Sequence, residues 1–135
     1  MQCVSSDLVR TLGSVRYVQQ SIAGDYTPLD AITPAEKHRV EREAMLTIRS
    51  TLEDTVAGQE LLDLWEEYER QDTVDARFVK DLDRFEMIVT AYEYEQAQPV
   101  NLDSFWRCTQ GVFKHPIIQD LDTELRARRT IIRPA

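Results

Sequence analysis

The sequence of 135 residues predicts an all-α fold in one domain, and three observations predict it. Apolar residues recur at three- and four-residue steps between a few turn signals, as one face of a helix requires. No period-two alternation lasts long enough for a strand. The phrase Thr33-Pro34-Ala35-Glu36 is a helix start: Thr33 can cap, Pro34 suits the first helical position and Glu36 can reach back as in a capping box.

Turn signals fall at Gly24 to Pro34, at Gly58, at Gln71 to Thr73, at Pro99 to Asp103 and at Gly111 to Pro116. The helix opened by Thr33 carries Val40, Ala44, Ile48 and Leu52 on one stripe. A second, short helix is expected over Glu60 to Arg70, with Leu61, Leu64, Trp65 and Tyr68 on its apolar face. The third, from about Thr73 to Glu95, reads as the buried central helix because it has two apolar lines. Phe78, Leu82, Phe85, Val89 and Tyr92 form one, and Ala76, Val79 and Met87 form the other. A last helix should start near Pro116 and turn Ile117, Leu121 and Leu125 inward. Arg126, Arg128 and Arg129 lie near its C-terminal end, where the helix dipole favours cations.

This length supports one core of modest size. With 42% hydrophobic and 30% charged residues, and no apolar run long enough to cross a bilayer, the chain reads as soluble. Its start, MQCVSSDLVRTLGSV, lacks the basic-then-apolar pattern of a secretory signal. A net charge of −8 repels nucleic acid polymers and anionic membranes, which argues against both as partners while leaving room for a local phosphate site. Cys3 and Cys108 belong to no CxxC pair, so neither a zinc knuckle nor a disulfide framework is expected and an intracellular, cytoplasmic setting fits.

Few residues carry chemistry. Asp83 has Val79 one turn before it and Met87 one turn after, so its carboxylate emerges among apolar neighbours and calls for an arginine, a hydrogen-bonded network or a metal ion. Asp81 and Asp83 form a D-x-D, but residues two apart on a helix point to different sides, and Asp81 is expected to be solvated. The loop Gly24-Asp25-Tyr26-Thr27-Pro28 can present Asp25 to a hard cation, or it can be a plain Asx-turn ahead of Pro28. His38 is expected on a solvated helix surface, and His115, ahead of Pro116, at a helix entry.

Several separated phrases then recur in a familiar order: SIAGDYTPLDAITPAEKHRVEREAM, LLDLWEEYERQDTVDARFVKDLDRFEMI, AYEYE and FKHPIIQDL. Together, over about Ser21 to Arg129, they resemble the C-terminal two-thirds of the HD-domain-containing protein 2 family, eukaryotic relatives of bacterial 5′-deoxynucleotidases. The resemblance implies an all-helical HD fold and hydrolysis of deoxynucleoside 5′-monophosphates to nucleosides and phosphate. It implies a divalent cation such as Co²⁺, Mn²⁺ or Mg²⁺, which lowers the pKa of a bound water, and it implies a homodimer. The family's last metal ligand is the final Asp of a K-x-L-D phrase, which is Asp83 here. Its Gly-Asp loop, at a metal or substrate site, matches Gly24-Asp25.

The departures lie upstream. Arg16-Tyr17 stand where the family has His-Asp, and Gln20 occupies the position of the family's catalytic Glu. Residues 1–20 therefore read as a divergent segment without the HD pair, 21–130 as the C-terminal part of an HD domain lacking its first helices, and 131–135 as a tail. Two function classes follow: a metal-dependent 5′-deoxynucleotidase family member, impaired in this chain and without an intact catalytic set, or a catalytically inactive helical interaction module derived from the same fold.

Overall fold

The computed structural model describes Ser14, residues 21–24, 31–53 and 55–132. Among them five helices run in order: α1 (Pro34–Thr51), α2 (Val56–Arg70), α3 (Val74–Ala97), α4 (Asp103–Cys108) and α5 (Pro116–Ile132). Ser21 to Ala23 are also helical, and the described residues contain no strand. The all-α class follows. The chain groups into two compact units, Met1–Val79 and Lys80–Ala135, so the first turns of α3 belong to one and the remainder to the other.

In the first unit, the Thr33 hydroxyl accepts from the Glu36 N–H at 3.2 Å with Pro34 in the first turn, as the sequence predicts for the start of α1. Helix α2 starts earlier than expected. Thr55 caps it by accepting from the Gly58 N–H at 3.3 Å, which puts Gly58 inside the helix instead of in a turn. Packing explains the glycine: a Cβ there would lie 3.3 Å from the carbonyl oxygen of Arg49 and 3.4 Å from the Cβ of Leu52. The bare Cα lets the start of α2 pass close to the end of α1.

Met45, Ile48, Leu62 and Trp65 form the core of this pair, with Leu46, Leu61 and Leu64 packed against it. Each aliphatic member contributes about 1.5–3 kcal/mol by leaving water. The sequence reading found Ile48 and Trp65 but passed over Met45 and Leu62, and it placed Leu52 inward although Leu52 is exposed. Tyr68 and Val79 make a second cluster with Leu64. Between α2 and α3, the Thr73 hydroxyl donates to Glu67 Oε1 at 2.7 Å and accepts from the Ala76 N–H at 3.1 Å, closing the turn expected at Gln71 to Thr73.

In the second unit the buried residues are Ile88, Ala91, Trp106, Phe113 and Ile118, together with the polar Asp81, Glu95, Thr109 and Asp122. The line Phe78, Leu82, Phe85, Val89 and Tyr92, expected at the centre of the core, is only half-buried. Helix α4 falls beyond a segment read only as a turn signal. On α5, Ile117 and Leu121 are exposed, and the buried positions are Ile118 and Asp122. The inward face of α5 is therefore rotated by one residue from the expected one.

Candidate functional site

Helix α3 presents Lys80-Asp81-Leu82-Asp83 at the start of the second unit. Asp81 is not solvated, contrary to expectation: it is 1% exposed, and its Oδ2 accepts the backbone N–H of Lys114 at 2.6 Å and of His115 at 2.7 Å. The segment between α4 and α5 is shaped to deliver those two donors. Gly111 turns it at φ +70°, a conformation that side-chain-bearing residues avoid. Phe113 is buried with its ring edge-on to Phe85 at 6.3 Å, and Gln119 Nε2 holds the Phe113 carbonyl at 2.9 Å. A carboxylate that accepts two backbone N–H groups has its charge compensated without a counter-ion.

Asp83 is half-buried and, two residues further on, points about 200° round the helix from Asp81, as helical geometry requires. Asp25, Gln20, Arg16 and Tyr17 lie outside the described residues, so the expected Gly-Asp loop and the departures around it are not part of the geometry. Among the described residues, no three His, Cys, Asp or Glu side chains converge as a metal site needs. A hard divalent cation takes several oxygen or nitrogen ligands, and Asp83 by itself does not make its site.

The densest polar cluster was not anticipated. The Glu95 side chain is fully shielded and takes a two-pronged grip from Arg129, Nε to Oε2 at 2.7 Å and Nη2 to Oε1 at 2.8 Å. Glu95 Oε1 also accepts the Leu102 N–H at 3.0 Å, tying the end of α3 to the entry of α4 and to α5. Arg129 Nη2 donates in addition to Asp103 Oδ1. Beside it, Arg126 Nε holds Asp122 at 2.8 Å, Nη1 the Trp106 carbonyl at 3.1 Å and Nη2 the Thr109 hydroxyl at 2.9 Å. Both guanidinium groups lie over the Trp106 ring, 5.5 Å from its centroid for Arg126 and 4.7 Å for Arg129.

Hydrogen bonds from Arg129 and then Asn101 hold the Asp103 carboxyl below its ordinary value. That contribution is present above the pKa of the unfolded chain and is lost as pH falls through the lowered folded value. The hydrogen bond to Glu95 raises the Arg129 pKa above its ordinary value. Arg128, by contrast, pairs along the exposed helix with Glu124 at 2.7 Å. A sequence signal existed for part of the cluster, since Asp122 and Arg126 are one turn apart and Arg126 and Arg129 three residues apart. The reading in terms of the helix dipole missed it.

In the first unit His38 is exposed, as expected, but it also has two partners. Its ring stacks on Trp65 with centroids 5.3 Å apart and 22° between planes, and Nδ1 lies 3.3 Å from Glu69 Oε2. Its neighbours pair along α1, Lys37 with Glu41 at 3.7 Å and Arg39 with Glu43 at 2.9 Å. Cys108 is exposed, and no described helix is long and apolar enough to cross a membrane.

Comparison with known proteins supplies the context for these elements. A family model for the HD domain matches residues 19–122, more than three quarters of the chain. The chain is 42% identical over 135 residues to 5′-deoxynucleotidase HDDC2 of Dictyostelium discoideum, covering 96% of this chain and 67% of that protein. It is 43% identical over 129 residues to the human protein of the same name, covering 94% and 63%, and 37% identical over 109 residues to 5′-deoxynucleotidase hdd1 of Schizosaccharomyces pombe, covering 78% and 55%. The chain thus spans about two thirds of the length of the first two of these relatives. HD-domain phosphohydrolases are generally metal-dependent. With a family match over most of its length and an all-helical architecture, the chain belongs to the HD-domain family.

Proposed function

We propose that this chain serves the hydrolysis of deoxynucleoside 5′-monophosphates to deoxynucleosides and phosphate. In that reaction a water oxygen bonds to phosphorus, the bond from phosphorus to the 5′ oxygen breaks, and a proton passes to the leaving nucleoside. The observation that supports the reading is the identity of 42% and 43%, over nearly all of the chain, to proteins named for 5′-deoxynucleotidase activity. A divalent cation, Co²⁺, Mn²⁺ or Mg²⁺, belongs to the same reading, with Asp83 and Asp25 as contributing ligands. So do an intracellular setting and the division into a divergent segment 1–20, an HD-domain part 21–130 and a tail 131–135. The charge of −8 supports a small anionic substrate held locally over a nucleic acid polymer.

The test is phosphate release from deoxynucleoside 5′-monophosphates by the full chain with each cation added in turn. Weak release, as a chain without an intact catalytic set implies, that Asp83→Ala brings down to the rate without enzyme is the expected result. Folded chain that releases no phosphate with any of the three cations, or release that Asp83→Ala leaves unchanged, overturns the reading.

A further inference from the structure

The second unit contains a surface cavity of about 280 Å³ lined by Asp103, Trp106, Arg107, Gln110, Arg126 and Arg129. Its lining carries three guanidinium groups against one carboxylate. The carboxylates that fix Arg126 and Arg129, namely Asp122 and Glu95, do not line it; their side chains are 13% and 0% exposed. This division places the hydrogen-bonding demands of the fold beneath the cavity and the remaining cationic donors at its wall. Nη1 of Arg129 donates to no described residue, and the side chain of Arg107 makes neither an ion pair nor a hydrogen bond among the described residues. The side-chain amide of Gln110 makes no hydrogen bond there either, and the buried indole Nε1 of Trp106 has no acceptor among the described residues.

The geometry points to a binding site for a small phosphate-class oxyanion in this cavity, with Arg107 and Arg129 as the charged donors and Gln110 at the rim. Two of the three arginines are already held over Trp106 by buried carboxylates, so little side-chain freedom is lost when an anion arrives. The volume is at the small end of ligand pockets and suits a phosphate with little attached to it. Asp103 is the competitor built into the site. It pairs with Arg129, yet its side chain is 45% exposed, so an incoming anion can displace it towards solvent, whereas Glu95 stays in place. The site is distinct from Asp83 and does not depend on a metal.

Inorganic phosphate titrated into the full chain in the presence of a chelator, followed by calorimetry or by the ³¹P line width, tests the assignment. Saturable binding in the millimolar range is expected. Arg107→Gln, which removes no side-chain hydrogen bond or ion pair among the described residues, should weaken it by roughly fivefold, and Asp103→Asn should tighten it by roughly threefold, as the gain or loss of one nearby charge implies. Asp83→Ala should leave it unchanged, which separates this site from the proposed catalytic one. A deoxynucleoside 5′-monophosphate that binds more tightly than phosphate with the same dependence on Arg107 identifies a phosphoryl group on a larger ligand; equal or weaker binding identifies the free anion. Absence of saturable binding, or binding that neither Arg107→Gln nor Asp103→Asn alters, overturns the assignment.

Discussion

Replacing Asp81 by alanine should be among the most damaging single changes in the second unit. Its Oδ2 accepts two backbone N–H groups at 2.6 and 2.7 Å, and the residue is 1% exposed. Hydrogen bonds to a charged group contribute about 1.5–3 kcal/mol each, and a buried donor left without an acceptor costs about 1–3 kcal/mol. These are two views of the same loss, so Asp81→Ala should cost about 3–5 kcal/mol, a large part of the 5–15 kcal/mol typical of a domain. Asp81→Asn keeps one oxygen with two lone pairs and can accept both donors without the charge, so about 1–2 kcal/mol is expected. Urea unfolding followed by circular dichroism gives the stabilities, and hydrogen exchange reads the Lys114 and His115 amides directly. A cost below about 1 kcal/mol for Asp81→Ala, or unchanged exchange at both amides, would falsify the clamp.

The remaining expectations concern the arginine cluster and a helix start. Arg129→Leu takes the two-pronged guanidinium away from the Glu95 carboxylate, whose side chain is fully shielded, and should destabilise by about 3–5 kcal/mol; Arg129→Lys keeps the charge but loses the fork and should cost less. Urea midpoints compare the two, and equal losses would refute the role of the two-pronged geometry. Thr33→Ala removes the acceptor for the Glu36 N–H and should cost about 1 kcal/mol, while Thr33→Ser should restore most of it in the same assay.

What the sequence makes legible here is local. Thr33-Pro34-Glu36 announces α1 because a cap and its acceptor are neighbours in the chain. The apolar step pattern finds Trp65, Tyr68 and Ile48 because those residues are buried by an ordinary helix face. Gly58 misleads because its role is a close approach to Arg49 and Leu52, which a turn-based reading does not contain. The inward face of α5 is misjudged for a related reason. Two of its inward-facing residues, Asp122 and Arg129, are charged, while Ile117 and Leu121 are exposed, so counting apolar residues selects the wrong side. Glu95 and Arg129 are 34 residues apart, and Asp81 and Lys114 33, so the groups that compensate each buried charge cannot be seen from its neighbours. The expected site shares this limit. Asp83 stands on α3 among the described residues, whereas Asp25, the other expected site residue, lies outside them.

The D-x-D on α3 shows how the two kinds of information combine. Helical geometry alone says that Asp81 and Asp83 cannot serve one phosphate together, since they project to opposite sides. The structure adds why an acidic residue stands at 81: on that side lie Ile88 and Glu95, one and two heptads further on, both buried, and the carboxylate substitutes for a backbone partner that the Lys114–His115 segment would otherwise lack. Asp83 follows the other line, one turn beyond the buried Val79. Their substitutions should therefore dissociate. Asp81→Asn should lower stability while leaving the metal dependence of any phosphate release intact. Asp83→Asn should remove that release with a smaller change in the urea midpoint. If both variants lose stability and activity in the same proportion, the separation of structural and chemical carboxylates on this helix is wrong, whatever the fate of either residue taken singly.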